Sequence, residues 1–251
     1  MSEHPNVPEK TIADFVGGLC KAAGSNLVTV ILYGSAVTSE FDPKLSDINL
    51  LCIVRDTSYP ALEALAPVVK SWVKRRHAPP LILSQQELLR FADVFAIEFL
   101  DIKAKHRVLY GDDVIASLEV SMRMHRVQLE YELGVKGLLL HQQLMLNAGD
   151  RRRTRDVLQR SLPTFATLFR HLLVVKGQPE PLTKRDTITS VASLAGFDPS
   201  GFLEVLDVRE HKSDTRNKDL QSLAARYLAA VEQATVAVDR ILTSNRAQSL
   251  Y

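Results

Sequence analysis

Residue types suited to binding phosphate are concentrated in one stretch. Val30–Val54 reads V-I-L-Y-G-S-A-V-T-S-E-F-D-P-K-L-S-D-I-N-L-L-C-I-V. An apolar run ends in Gly34-Ser35, and Asp47 heads a second apolar run with Asn49 two positions on. Side chains of a strand alternate between its faces, so Asp47 and Asn49 are expected on one face. Backbone N–H groups at Gly34-Ser35, opening a turn or helix, would form an anion site. A further candidate lies in Phe95–Ile102, F-A-I-E-F-L-D-I, which reads as a strand. Alternation there groups Glu98 with Ala96 and Leu100, and Asp101 with Ile97 and Phe99. A carboxylate inside so apolar a strand is costly unless it is paired or metal-bound. Lys103 and Lys105 are the nearest cations in sequence for Glu98 and Asp101.

The elements that would position these residues follow from periodicity. Leu27–Tyr33 and Ile48–Val54 are short, apolar and rich in β-branched residues, as buried strands are. Leu81–Leu83 is a third run of this kind, and Phe95–Ile102 is taken as the fourth. Ala61–Arg76 has helical spacing and ends in Lys74-Arg75-Arg76, which suits a helix C-terminus. Past Gly111 the pattern turns to long helical periods. One helix is expected from Asp112 or Asp113 to about Ala148, and another from Arg151 to about Lys176. Residues 184–196 and 200–211 read as shorter helices, and Asp219–Ser244 as a last long one. Five helices in this order suggest a bundle.

Composition narrows the class. The 251 residues allow one large domain or two small ones. With 46% hydrophobic and 24% charged residues the chain is of ordinary globular type, and a net charge of +2 makes no case for nucleic acid or an anionic membrane. Cys20 and Cys52 form no C-x-x-C, so neither a zinc site nor a disulfide framework is expected. No uncharged apolar run approaches the ~20 residues of a membrane span. The first eight residues lack a basic stretch followed by an apolar core, so a cytoplasmic location is expected. The basic run Arg151–Arg155 reads as a solvated helix start. His125, His141 and His171 lack metal-ligand spacing.

The strand, Gly34-Ser35, the spacer, Asp47 and Asn49, with Ser46 completing Ser-Asp-Ile-x-Leu, together resemble the core motif of the polymerase-β-like nucleotidyltransferase superfamily. This resemblance covers residues 27–110. Architecturally the rest is similar to the helical C-terminal domain of kanamycin and streptomycin adenylyltransferases, and Val174–Lys184 looks like its inter-helix turn. The resemblance implies an α+β fold: a nucleotidyltransferase-like α/β domain, residues 1–111, with a small mixed sheet flanked by helices, and a helical bundle domain, residues 112–251. It implies transfer of a nucleoside monophosphate from NTP to a hydroxyl of a small-molecule or protein acceptor, with Mg²⁺. Gly34 and Ser35 would grip the phosphates, and Asp47, Asn49 and Glu98 would hold the metal. Two divalent ions about 4 Å apart repel by roughly 16 kcal/mol at an effective dielectric of 20, which is why such sites need carboxylates.

The chain departs from that pattern twice. Asn49 stands where the family has a second carboxylate. If the family's third strand matches Pro80–Ser84, its acidic position falls on Pro79 or Pro80, which leaves Glu98, Asp101 or no third acid. A second reading is therefore a catalytically inactive protein of this fold, acting as a nucleotide-binding or protein-interaction module. A third is a homodimer joined through the bundle.

Overall fold

The computed structural model describes residues 7–38, 41, 47–179, 181, 183–210, 212 and 219–248, with side chains to residue 240. Ser46 of the motif, and Glu180 and Leu182 of the inter-helix turn, lie outside the described residues. The chain divides into two compact units, Met1–His125 and Arg126–Tyr251. The elements run α1 (Glu9–Ala23), β1 (Leu27–Tyr33), β2 (Asn49–Val54), α2 (Tyr59–Lys74), β3 (Leu81–Ser84), α3 (Gln85–Phe91), α4 (Ala96–Ala104) and β4 (His106–Gly111). They continue with α5 (Met122–Leu146), α6 (Arg151–Val175), α7 (Lys184–Ala195), α8 (Ser200–Arg209) and α9 (Leu220–Gln248).

The first unit is a mixed four-stranded sheet in the order β3-β2-β1-β4. β1 pairs antiparallel with β2 and β4, and β2 pairs parallel with β3. Both faces are covered, which is why the two central strands are almost continuously apolar. Val30, Leu32, Leu50, Cys52 and Val54 face Ile12, Phe15 and Leu19 of α1 and Leu65 and Trp72 of α2. Ile31, Leu51, Ile53 and Leu83 face Leu88 of α3 and Phe99 and Ile102 of α4. Burial pushes the Cys52 thiol up to about 12, as fits a residue acting as a small hydrophobe.

Three expectations need correction. Phe95–Ile102 is not a strand: residues Ala96–Ala104 form α4, burying Ala96, Ile97, Phe99 and Ile102. Ala96, Phe99 and Ile102 recur every three residues, with Ile97 beside them, which makes one broad helical stripe, and a short apolar run is compatible with either period. The fourth strand is instead His106–Gly111, a half-exposed edge strand whose His106 and Arg107 hide its β character. The helix expected from Asp112 or Asp113 starts only at Met122. Asp113 does act as a local cap: its Oδ1 accepts from the N–H of Ile115 (3.1 Å) and Ala116 (3.0 Å), and its Oδ2 lies 3.0 Å from His106 Nε2. Helix α1, which the residue pattern did not reveal, contributes Ile12, Phe15 and Leu19 to the core.

In the second unit, an aromatic cluster joins α6, α8 and α9. Phe202 stacks on Tyr227 at 4.1 Å between ring centres, and Phe165 meets both edge-on at 6.2 Å. The Tyr227 hydroxyl is 3.0 Å from Ser161 Oγ, so the one polar atom of this buried ring is satisfied. Gly201 of α8 lies directly against the α9 backbone: a Cβ there would come within 2.6 Å of the Tyr227 nitrogen. Among the described residues, no helix is long and apolar enough to cross a membrane.

Candidate functional site

The strand β1 delivers Tyr33 in extended conformation into a single 3-10 turn, Gly34–Val37. Gly34 has φ +76°, a left-handed conformation that costs a residue with a Cβ about 1–2 kcal/mol. The turn is closed by Thr38, whose N–H and hydroxyl both donate to the Ser35 carbonyl at 3.0 Å. Gly34 and Ser35 are half-buried. This is one turn, not the start of a long helix, so little macrodipole can assist anion binding.

The Tyr33↔Asn49 pairing of β1 with β2 brings Asn49 beside the turn. A Cβ placed on Gly34 would lie 2.9 Å from Asn49 Nδ2. The Asn49 amide thus occupies the space over the glycine. Asp47, two residues before, is exposed and near enough to His77 to favour its protonated form. Burial first and the Arg75 charge second nevertheless hold the His77 imidazole below its usual value. His77 stacks on Trp72 at 4.1 Å, and Trp72 Nε1 donates to the Ala78 carbonyl at 2.8 Å. The residues leading into β3 are thereby fixed alongside the start of β2. The β2–β3 register begins at Leu51↔Leu81. Carried back two residues it puts Pro79 level with Asn49, and proline offers no ligand there.

Glu98 stands in the first turn of α4 and is exposed. Its helix covers the same sheet face that carries Leu51 and Ile53, and hence Asn49 by alternation. Glu98 is close enough to Tyr33 for its charge to add to the burial that raises the Tyr33 phenol above its usual value. Asp101 lies one turn further along α4. Among the described residues, no three His, Cys, Asp or Glu side chains come together as a metal-binding group. With a neutral amide at Asn49 and a proline in the third place, the described residues do not fit the two-ion Mg²⁺ site that the motif resemblance implies.

The other candidates lie elsewhere. Arg153 pairs with Asp150 (3.3 Å) and Arg155 with Asp156 (3.7 Å) at the start of α6. His125 and His171 are buried, and His141 lies 3.4 Å from Glu232. A groove of about 590 Å³ runs between α5 and α6, lined among others by Lys136, Leu140, Arg160 and Phe165, and contains none of the motif residues.

Among solved structures, the chain is similar to the spectinomycin adenyltransferase AAD(9) from Enterococcus faecialis, determined with ATP and spectinomycin. The TM-score is 0.53 at 15% identity, over 89% of this chain and 99% of that one. The chain has the nucleotidyltransferase fold. A nucleotidyltransferase-like protein from Exiguobacterium sibiricum 255-15 is similar over 92% of this chain and 78% of that one, at 14% identity and a TM-score of 0.39. No protein-family model matches the sequence, and no curated protein matches it. Within the nucleotidyltransferase fold the strand–Gly-Ser–strand arrangement was open to sequence reasoning. The link from Asp47 to His77 was not, because nothing in the spacing joins residue 47 to residue 77.

Proposed function

We propose that this chain is a nucleotidyltransferase-like protein that binds a nucleoside triphosphate at the Gly34–Ser35 turn, with the Asn49 amide donating a hydrogen bond to a phosphate oxygen. The observation that carries this reading is the position of Asn49 Nδ2 over Gly34. An amide brings two N–H donors, whereas an ionised carboxylate only accepts. A second carboxylate in that place would repel a triphosphate unless a cation stood between them. Asparagine removes that need, so the turn holds phosphate without depending on a protein-bound ion pair. The solved adenyltransferase, with its ATP, supports a nucleotide as the ligand class.

Asp47 supports a second reading, because it keeps the first carboxylate of the motif. In that reading a hydroxyl oxygen of a small-molecule or protein acceptor bonds to the α-phosphorus, the bond to the β-phosphate oxygen breaks, and pyrophosphate leaves. Glu98, on the helix that covers the sheet face carrying Asn49, is the group to which the acceptor proton would be assigned.

Thermal unfolding with ATP, GTP, CTP and UTP, each with Mg²⁺ and with EDTA, tests both. A ligand at 100 times its Kd stabilises by about 2.7 kcal/mol, a shift of roughly 5–11 °C for a chain of this size. We expect a shift for at least one triphosphate that persists in EDTA and is lost in Gly34→Ala. Asn49→Asp is expected to make it Mg²⁺-dependent. A shift seen with Mg²⁺ alone in the unaltered protein supports the transferase reading, and flat curves for all four nucleotides overturn both.

A further inference from the structure

The groove of about 590 Å³ between α5 and α6 is built by helical spacing. Lys136, Leu140, Gln143 and Asn147 recur at intervals of three and four along α5, so they share one face. Arg153, Val157, Arg160 and Thr164 do the same along α6. Every residue that lines the groove belongs to the second unit. Helix α5 rests on α9, which leaves room beside α6: a Cβ on Gly137 would lie 3.8 Å from Val231 Cγ1, and His141 Nε2 is 3.4 Å from Glu232 Oε1. The turn between α5 and α6 lies at one end of the groove and is pinned. The Thr154 hydroxyl donates to the Asn147 carbonyl at 3.0 Å, and Asn147 Nδ2 donates to the Gln143 carbonyl at 2.7 Å.

The charges around this groove do not cancel. Lys136 pairs with Glu132 (3.4 Å), Arg153 with Asp150 (3.3 Å) and Asp156 with Arg155 (3.7 Å). Among the described residues, Arg160 has no hydrogen-bond or ion-pair partner, so its positive charge is left over. We propose that the groove binds a small organic monoanion, with an apolar body against Leu139, Leu140 and Val157 and a carboxylate or sulfonate head on Arg160. Small-molecule sites typically have volumes of about 300–1,000 Å³ and a mostly apolar lining with a few polar groups, and this groove has both properties. The guanidinium offers paired N–H donors that match two oxygens of an oxyanion, while its stem covers apolar surface. The pairs of Lys136 and Arg153 are open to water and hold those cations weakly, so both remain able to turn towards an anion. Asp156, one turn before Arg160 on α6, disfavours a second negative charge, which selects a monoanion over a polyphosphate. This inference does not rest on the nucleotide reading, with which it shares no residue.

Fluorescence titration of the full chain with 8-anilinonaphthalene-1-sulfonate, an aromatic monoanion, is the test. We expect one saturable site with a Kd of about 10–100 µM, the range for a probe of this size. Arg160 and Leu139 are exposed, so Arg160→Glu and Leu139→Asp are expected to leave the fold intact, as circular dichroism and thermal midpoints will show. Each should weaken binding at least about tenfold, because each sets a carboxylate against the anion. Arg160→Lys, which keeps the charge, should retain most of the affinity. N-phenyl-1-naphthylamine, the same body without the sulfonate, should bind at least about tenfold more weakly than the anion. Absence of saturable binding overturns the proposal, as does binding indifferent to both Arg160→Glu and Leu139→Asp. The neutral amine binding as tightly as the sulfonate overturns the assignment of an anionic ligand.

Discussion

Each unit of the molecule closes one tight backbone contact at a glycine, and the two glycines are required for different reasons. In the sheet unit, Gly111 ends β4 at φ +75°, and a Cβ there would lie 2.0 Å from the Val28 carbonyl oxygen. In the helical unit, Gly201 has no positive φ, but a Cβ would meet the Tyr227 nitrogen at 2.6 Å and the Arg226 carbonyl carbon at 2.9 Å. Conformation and space both demand glycine in the first case, and space alone in the second. Gly34 is a third kind: its φ is positive, but its near neighbour is the end of the Asn49 side chain, which can move. Glycines holding the architecture therefore sit against backbone, and the glycine of the candidate site sits against a functional group.

Substitution separates these cases. Gly111→Ala is expected to cost the most, about 4 kcal/mol, from a left-handed residue (~1–2 kcal/mol) added to overpacking of ~1–3 kcal/mol. Gly201→Ala carries the overpacking cost alone, about 2–3 kcal/mol, as α8 is pushed from α9. Urea denaturation of both variants checks the order. A smaller loss for Gly111→Ala than for Gly201→Ala would break the distinction.

The same contrast explains how much was legible in the sequence. β1, β2 and β3 were readable because burial on both faces leaves short unbroken apolar runs, and α6 to α9 because their polar faces expose the helical period. Gly34-Ser35 and Asp47 were readable because their spacing is tied to those strands. α4 was misread because Phe95–Ile102 places Glu98 and Asp101 where both periods are satisfied over eight residues. Only the packing of Phe99 and Ile102 on the sheet settles it. β4 was missed because an edge strand is free to carry His106 and Arg107. Its membership rests on partners far off in sequence, such as Thr29 Oγ1, which donates to the Tyr110 carbonyl at 2.7 Å.

A smaller effect comes from helix capping in the sheet unit. Ser84 and Glu87 form a reciprocal box: the Ser84 N–H donates to Glu87 Oε2 at 2.7 Å, and the Glu87 N–H donates to Ser84 Oγ at 3.2 Å. Ser84→Ala should cost about 1 kcal/mol. The Ser84 N–H and hydroxyl hold the Glu87 carboxyl below its usual 4.5. A carboxyl depressed by folding stabilises above its unfolded value, and that contribution is lost as pH falls through the folded value. Chemical denaturation at pH 7 and pH 3 should therefore show a smaller cost of Ser84→Ala at the lower pH.

The smallest effect is the most informative about the site. His77 is held below its ordinary 6.5 by burial and Arg75, against the pull of Asp47. A histidine depressed in this way favours the neutral ring in the folded state. Its contribution to stability is present above the unfolded value and is lost as pH falls through the folded one. Asp47→Asn removes the one opposing attraction, so the His77 titration, followed by proton NMR of the imidazole, should move to still lower pH. The change separates two roles for the exposed carboxylate at the head of β2. If His77 moves down, Asp47 is directed across to the residues before β3 and helps order the edge of the Gly34–Ser35 turn. If His77 does not move, Asp47 is directed away from the imidazole and towards the ligand, and the second, transferase reading of this fold gains on the first.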